Sequence, residues 1–179
     1  MRLPIPDFSC RNVTDISPDL LAENGIRLLM LDLDNTIAPY KTLQPDPAVT
    51  AWVQSVKDAG IDLHFVSNSK RPDRVEHFAE LLGIGYVKAA HKPGTKALKQ
   101  VMAAFGREPE ACALAGDQIY TDVWAACRAG CRSFLVYPIR FTNPFLFLRY
   151  LAEAPFRALR RKRLNNSSDP YEEEFICSI

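Results

Sequence analysis

The chain alternates short apolar runs with amphipathic stretches. Ile26 to Leu31, Ile61 to Val66, Ile84 to Val87, Ala111 to Ala115 and Cys131 to Tyr137 are brief, mostly apolar and free of helical spacing. Each predicts a strand buried on both faces, because a parallel strand covered by helices on either side is nearly continuously hydrophobic. Between them Val49, Trp52, Val53 and Val56, then Val75, Phe78, Ala79 and Leu82, then Ala97, Leu98, Val101, Met102 and Phe105 each fall on one helical face. Gly60 and Gly83 close the first two of these helices, and a further helix runs from about Thr121 to Gly130. Upstream, Ser17 is placed to cap a short helix with Pro18 at its first position, stopped by Asn24-Gly25. Residues 1–17 are Pro-rich and read as irregular, and residues 37–46, with two prolines, read as a loop over the strand ends. Five strand–helix alternations with short connections predict an α/β fold: a five-stranded parallel sheet with helices on both faces.

Polar residues gather where those strands end. Asp32 and Asp34 follow the first strand, Ser67 and Asn68 the second, and Asp117 and Asp122 the fourth, while Lys92 lies in the loop after the third. In an open α/β sheet these loops share one edge, where ligands bind. Alternation gives Asp32 and Asp34 the same facing if the extended backbone continues that far. Taken alone, the pair could equally end a strand in a solvated Asp-Asn turn, and Asp122 could be a plain charge in the first turn of a helix. Together, several carboxylates with one lysine are poor core material unless a cation joins them. Mg²⁺ suits carboxylate and phosphate oxygens. Asp32 and Asp117 would hold it, with Asp32 placed for in-line attack on phosphorus and Asp34 carrying the proton. Ser67 and the Asn68 backbone N–H would take non-bridging phosphate oxygens, and Lys92 would stabilise the pentavalent state.

Composition narrows the setting more than the chemistry. The 179 residues are 47% hydrophobic and 24% charged, enough for one globular core, and 22 basic against 21 acidic residues leave +1, so nothing global recommends nucleic acid. Five scattered cysteines, Cys10, Cys112, Cys127, Cys131 and Cys177, suggest neither a zinc site nor a disulfide framework. The first residues carry no signal-peptide or import pattern, and no apolar run nears the ~20 residues that span a bilayer, so a cytoplasmic protein is expected.

The sequence Asp32-Leu33-Asp34-Asn35-Thr36 resembles the first motif of the haloacid dehalogenase-like (HAD) phosphatases. Ser67 after its apolar strand resembles the second, Lys92 before Pro93-Gly94 the third, and Gly116-Asp117 with Asp122 the fourth, all in order. Asp-Leu-Asp-Asn-Thr, Val-Ser-Asn, Lys-Pro and Gly-Asp-Gln-x-x-Thr-Asp together look like the YqeG group, which is related to the mitochondrial phosphatidylglycerophosphate phosphatases. The resemblance covers roughly residues 5–150. It implies a three-layer Rossmann-like HAD fold and Mg²⁺-dependent monoester hydrolysis through an aspartyl-phosphate on Asp32. It also implies metal ligation by Asp32, Asp117 and the Asp34 backbone carbonyl, with Thr36 and Asp122 in support, Asp122 either backing the metal or holding Lys92. The related mitochondrial branch implies phosphatidylglycerophosphate as substrate, on the way to phosphatidylglycerol and cardiolipin.

Caps in this superfamily follow the first or second motif, and about thirty residues from Asp34 to Ser67, with fewer from Ser67 to Lys92, leave no room for a large one. An open site suits a phosphate presented on a membrane surface. The expected division is a core over 1–142, a basic amphipathic helix over 143–164 and an acidic tail over 165–179. Between Arg140 and Arg163 seven basic residues face one acid, Glu153. Phe145, Leu148, Ala152, Phe156 and Leu159 form a stripe with Arg149, Arg157, Arg160 and Arg161 largely off it, and Pro155 kinks the helix. That pattern fits peripheral contact with anionic lipid on the inner face of a membrane, and equally a terminal helix packed on the sheet. A phosphatase for a soluble sugar, nucleotide or protein phosphate, and a scaffold for RNA or a membrane assembly with a vestigial site, are the competing readings.

Overall fold

In a computed structural model of the chain, residues 3–69, 71–140 and 144–164 are described, the side chains of 144–146 and 161–164 excepted. The strands are β1 (Phe8–Cys10), β2 (Leu28–Leu31), β3 (Asp62–Val66), β4 (Gly85–Val87), β5 (Cys112–Gly116) and β6 (Arg132–Val136). They form one parallel sheet in the order β1-β6-β5-β2-β3-β4. Helices α1 (Pro18–Glu23), α2 (Pro47–Asp58), α3 (Pro72–Leu82), α4 (Lys96–Ala104) and α5 (Trp124–Ala129) complete the core. All four β2 residues are buried, and their alternation serves two cores. Leu29 and Leu31 pack with Trp52, Val53, Val56, Val75 and Phe78 on the α2–α3 side. Leu28 and Met30 pack with Leu98, Val101, Met102, Ala125 and Ala126 on the α4–α5 side. The result is the three-layer α/β architecture, each fully buried Leu or Phe contributing ~1.5–3 kcal/mol.

The helix ends follow local chemistry. Ser17 Oγ accepts from Leu20 N–H at 3.1 Å, with Pro18 at the first position of α1. Gly83, at φ +61°, ends α3 in the left-handed conformation.

The sheet has six strands, not five. The sixth is β1, inside the segment read as irregular; its three residues pair with Phe134, Leu135 and Val136, and Phe8 stacks on Phe134 with centroids 4.5 Å apart. A three-residue strand has no period to read. It forms because it covers the open edge of β6, and Asp7 secures it by accepting from Ser133 N–H and Oγ. A second correction concerns the turn into α5. The helix expected from Thr121 begins as a wide π-type turn, Ile119–Val123, because the Gln118 carbonyl accepts from both Asp122 N–H at 2.9 Å and Val123 N–H at 3.2 Å.

The C-terminal segment is two helices, α6 (Pro144–Ala152) and α7 (Ala154–Leu164), parted at Glu153. Pro155 cannot donate into a continuing helix but is tolerated in the first turn of a new one, so the break falls before it and not at it. Among the described residues, no helix is long and apolar enough to cross a membrane.

All six strands run the same way, so their carboxyl ends share one edge. From central β2 the chain moves to β3 and β4 on one side, then to β5 and β6 on the other, and the reversal opens a crevice beyond β2.

Candidate active site

Asp32 prolongs the β2 ladder, its N–H donating to Ala115 O at 2.9 Å. The backbone then turns tightly: Leu33 O accepts from Ile37 N–H and Ala38 N–H, and Asn35, at φ +65°, donates its N–H to Ala38 O at 2.9 Å. Asn is among the few side chains that tolerate that conformation. Its side-chain amide donates to Arg140 O at 2.9 Å, fastening the turn to the segment after β6. Asp32 and Thr36 are buried, and Asp34 is half-buried beside them.

Lys92 lies at the centre of the charge. Its Nζ sits 2.7 Å from Asp32 Oδ1 and 2.6 Å from Asp122 Oδ1, all three side chains being under a tenth exposed. The loop that delivers it is clamped by Asn68, whose side chain accepts from Lys92 N–H and donates to Lys92 O, both at 2.9 Å. Ser67, at the end of β3, is buried and its Oγ accepts from Ser69 N–H at 3.1 Å. Asp122 reaches the cluster because Gly116 has no side chain: a Cβ there would lie 2.3 Å from Asp122 Cγ. Asp122 Oδ2 also accepts from Gln118 N–H at 3.1 Å, steadying the turn that carries Asp117.

Asp32, Asp117 and Asp122 offer carboxylate oxygens all within 4.8 Å of one another. Burial pushes Asp32 up to about 6, with Lys92 pulling it down and Asp122 pushing it further up. Burial, then Asp122 and Asp32, hold Asp117 well above the ordinary carboxylate range. Burial opposes the charge on Lys92, but Asp122 and Asp32 outweigh it and keep its pKa above the usual lysine value. Three buried carboxylates against one ammonium leave negative charge to be met, and Asp117 Oδ1 is buried with no hydrogen-bond partner among the described residues. Both features fit a divalent cation, which Asp32 and Asp117 could hold.

Asp34 faces a different partner. Its Oδ1 accepts from Nη1 of Arg74, a residue in the first turn of α3 whose side chain is buried. Tyr40, in the loop over the strand ends, is half-buried, and burial with Asp117 and Asp34 raises its phenol to about 12.

The C-terminal helices reach the same place. A shallow pocket is lined by Asn35, Asp117, Gln118, Pro138, Arg149, Tyr150 and Glu153. Glu153, at the break between α6 and α7, is buried and accepts from Ile119 N–H at 3.0 Å and Tyr120 N–H at 3.4 Å, so it caps the turn that follows Asp117. The segment also turns differently from the expected stripe. Phe156 packs on Ile119, Val123 and Leu135, Arg157 pairs with Glu153 and lies over Tyr150, and Arg160 donates to Pro6 O at 2.8 Å. Phe147, Leu148, Leu151 and Leu159 are exposed. The side chains of Phe145 and Arg161, and the tail 165–179, lie outside the described residues.

The structure thus gathers Asp32, Lys92, Asp117 and Asp122 into one cluster, with Asp34 beside Arg74 and Asn68 behind Lys92. Thr36 is buried with its hydroxyl bonded to nothing among the described residues. Sequence reasoning missed Arg74 and the wall formed by Tyr150 and Glu153, and it had Arg149 only as part of a basic face.

Comparison with known proteins follows the same lines. A family model described as a haloacid dehalogenase-like hydrolase matches residues 12–130. "Probable phosphatase YqeG" of Bacillus subtilis (strain 168) is 32% identical over 160 residues, which cover 88% of this chain and 92% of that one. Among solved structures, an uncharacterised protein from Listeria monocytogenes serotype 4b aligns at TM-score 0.53 and 14% identity, over 66% of this chain and 85% of that one. The 3-deoxy-D-manno-octulosonate 8-phosphate phosphatase of Yersinia pestis aligns at TM-score 0.51 and 18% identity, over 73% and 72%. At those identities the likeness is one of fold.

Proposed function

Because the chain belongs to the haloacid dehalogenase-like hydrolases, we propose that its acidic strand edge performs Mg²⁺-dependent hydrolysis of a phosphomonoester, phosphatidylglycerophosphate, at the inner face of a membrane. The observation that carries the lipid reading is the two-sidedness of α6. Arg149 and Tyr150 line the pocket that holds Asp117, while Phe147, Leu148 and Leu151, respectively 50%, 64% and 48% exposed, leave an apolar face on the same helix. A wall of the site that is itself oily on the outside suits a head group still attached to its bilayer. Nearby arginines would add about 1 kcal/mol each beside anionic lipid.

The chemistry is assigned residue by residue. Mg²⁺ would be held by Asp32, Asp117 and the Asp34 backbone carbonyl, and when bound it neutralises phosphate charge beside the nucleophile. Asp32 attacks phosphorus with one carboxylate oxygen as the bond to the substrate alcohol breaks, and a proton passes from Asp34 to the departing oxygen. Water then attacks the aspartyl-phosphate, breaking its O–P bond, regenerating Asp32 and returning a proton to Asp34. Lys92 stays protonated, orients Asp32 through Oδ1 and supports the charge on phosphorus, with Asp122 fixing Lys92 from its other side. Ser67 and the Asn68 N–H take phosphate oxygens, and Thr36 completes the first turn.

The test is phosphate release from phosphatidylglycerophosphate in mixed micelles beside a panel of soluble sugar, nucleotide and protein phosphates, at equal concentration with Mg²⁺. The expected result is preference for the lipid, abolished in Asp32→Asn and reduced when Phe147, Leu148 and Leu151 become Ser. Faster turnover of a soluble ester would overturn the lipid assignment, and no release from any monoester would favour the scaffold.

A further inference from the structure

Arg74 is a cation in an expensive place. It lies in the first turn of α3, where the helix dipole disfavours positive charge, and its side chain is only 2% exposed. Burial works against its charge, and only partners can offset that. All the partners come from the opening motif and the loop beyond it. Nη1 donates to Asp34 Oδ1, Nε donates to Thr42 O at 2.9 Å, and Nη2 donates to Pro39 O at 2.7 Å and Ala38 O at 3.5 Å. The Phe78 ring lies under the guanidinium at 4.9 Å from its centroid. A planar fork with fixed donors can hold a carboxylate and a set of carbonyls at once, which an ammonium cannot.

From this geometry we propose that Arg74 is the positioning residue for Asp34, fixing Oδ1 so that the other carboxylate oxygen faces the reacting phosphate ester and delivers its proton to the leaving alcohol. The assignment rests on the phosphatase reading above and adds to it a residue outside the four motifs. It also explains why the loop 38–42 and α3 are joined at the site: Arg74 bridges the two at Asp34, and the loop carbonyls hold the bridge still. Positioning matters here because proton transfer requires hydrogen-bond reach, and displacements near 1 Å can cost about a hundredfold.

The experiment compares para-nitrophenyl phosphate, whose leaving group departs without a proton, with phenyl phosphate, whose leaving group gains from one. Wild type, R74M, R74K, D34N and D34N/R74M are assayed for kcat and KM, with thermal unfolding of each. R74M is expected to lose about ten- to hundredfold in kcat/KM, which reports the steps through release of the alcohol, on phenyl phosphate and no more than a few-fold on para-nitrophenyl phosphate. R74K, lacking the fork, follows R74M and stays folded if the larger change does not. In the D34N background the Arg74 change costs nothing further on either ester. Equal losses of kcat/KM on both esters, or a full additional loss in D34N/R74M, would overturn the positioning role and leave the phosphatase reading intact. A wild-type chain that hydrolyses neither these esters nor phosphatidylglycerophosphate overturns both.

Discussion

Removing divalent cation and varying pH together probes the acidic cluster most directly. Asp32 is buried and its carboxyl rises from 3.8 to about 6 on folding. Over the interval between those values the folded chain binds more protons than the unfolded one, so stability falls as pH rises and levels off above about pH 7. The full shift corresponds to ~3 kcal/mol, of which about half falls between pH 5 and pH 7.5, or about 3–6 °C in Tm for a chain of this length. Asp117, also raised, acts in the same direction. Lys92, raised the other way round as a cation, stays protonated throughout this window and contributes a constant stabilisation. In EDTA the protein should therefore melt higher at pH 5 than at pH 7.5. Metal reverses the trend, because its ligands must be deprotonated to bind it, so millimolar MgCl₂ should raise Tm by several degrees at pH 7.5 and little at pH 5. Differential scanning fluorimetry of wild type and Asp32→Asn at both pH values isolates the contribution, since the variant lacks the Asp32 titration and should lose that part of the pH dependence, Asp117 keeping its own, together with most of the Mg²⁺ shift. An EDTA-treated wild type that gains stability from pH 5 to pH 7.5 relative to Asp32→Asn, or a Mg²⁺ shift equal at the two pH values, would refute the reasoning.

Gly116→Ala places a Cβ 2.3 Å from Asp122 Cγ, forcing that carboxylate off Lys92; a loss of ~1–3 kcal/mol in thermal unfolding is expected, with a larger proportional loss of phosphate release. Glu153→Ala strips the Ile119 and Tyr120 N–H groups of their acceptor, costing ~1–3 kcal/mol for each that stays dry. Glu153→Gln keeps an acceptor oxygen and should fall between wild type and Ala in both Tm and turnover.

The layers, the helix caps and the identity of the strand-end residues were legible in the sequence because each has a local signature: an apolar run, a helical stripe, a Ser-Pro start or a glycine stop. The motif residues stood out because charge is conspicuous where a buried strand ends. Short pairing was not legible. Phe8–Cys10 becomes a strand only against Phe134–Val136, some 126 residues away, and three residues carry no period. The width of the Ile119–Val123 turn was equally hidden, since it depends on one carbonyl accepting two N–H groups.

Arg74 and Glu153 were hidden for a different reason, and their cases argue for one rule. Arg74 precedes Phe78 by four residues and so lies on the inner stripe of α3, where Val75, Phe78, Ala79 and Leu82 predict apolar company. Glu153 precedes Phe156 by three, and Phe156 packs inward on Ile119, Val123 and Leu135. A charged side chain at an inward position must find a partner or unfold its surroundings, and each has found one on another segment of the site. Arg74 holds Asp34 and the carbonyls of Ala38, Pro39 and Thr42. Glu153 accepts the free N–H groups opening the turn after Asp117, where a carboxylate is favoured by the exposed donors and the helix dipole. Asp32, Lys92, Asp117 and Asp122 gather on the sheet edge, and these two inward charges, one from α3 and one from the break between α6 and α7, hold Asp34 and the Asp117 turn in register. Among the described residues no large cap module covers this site, and buried charges of this kind supply order there from the flanks of the sheet edge.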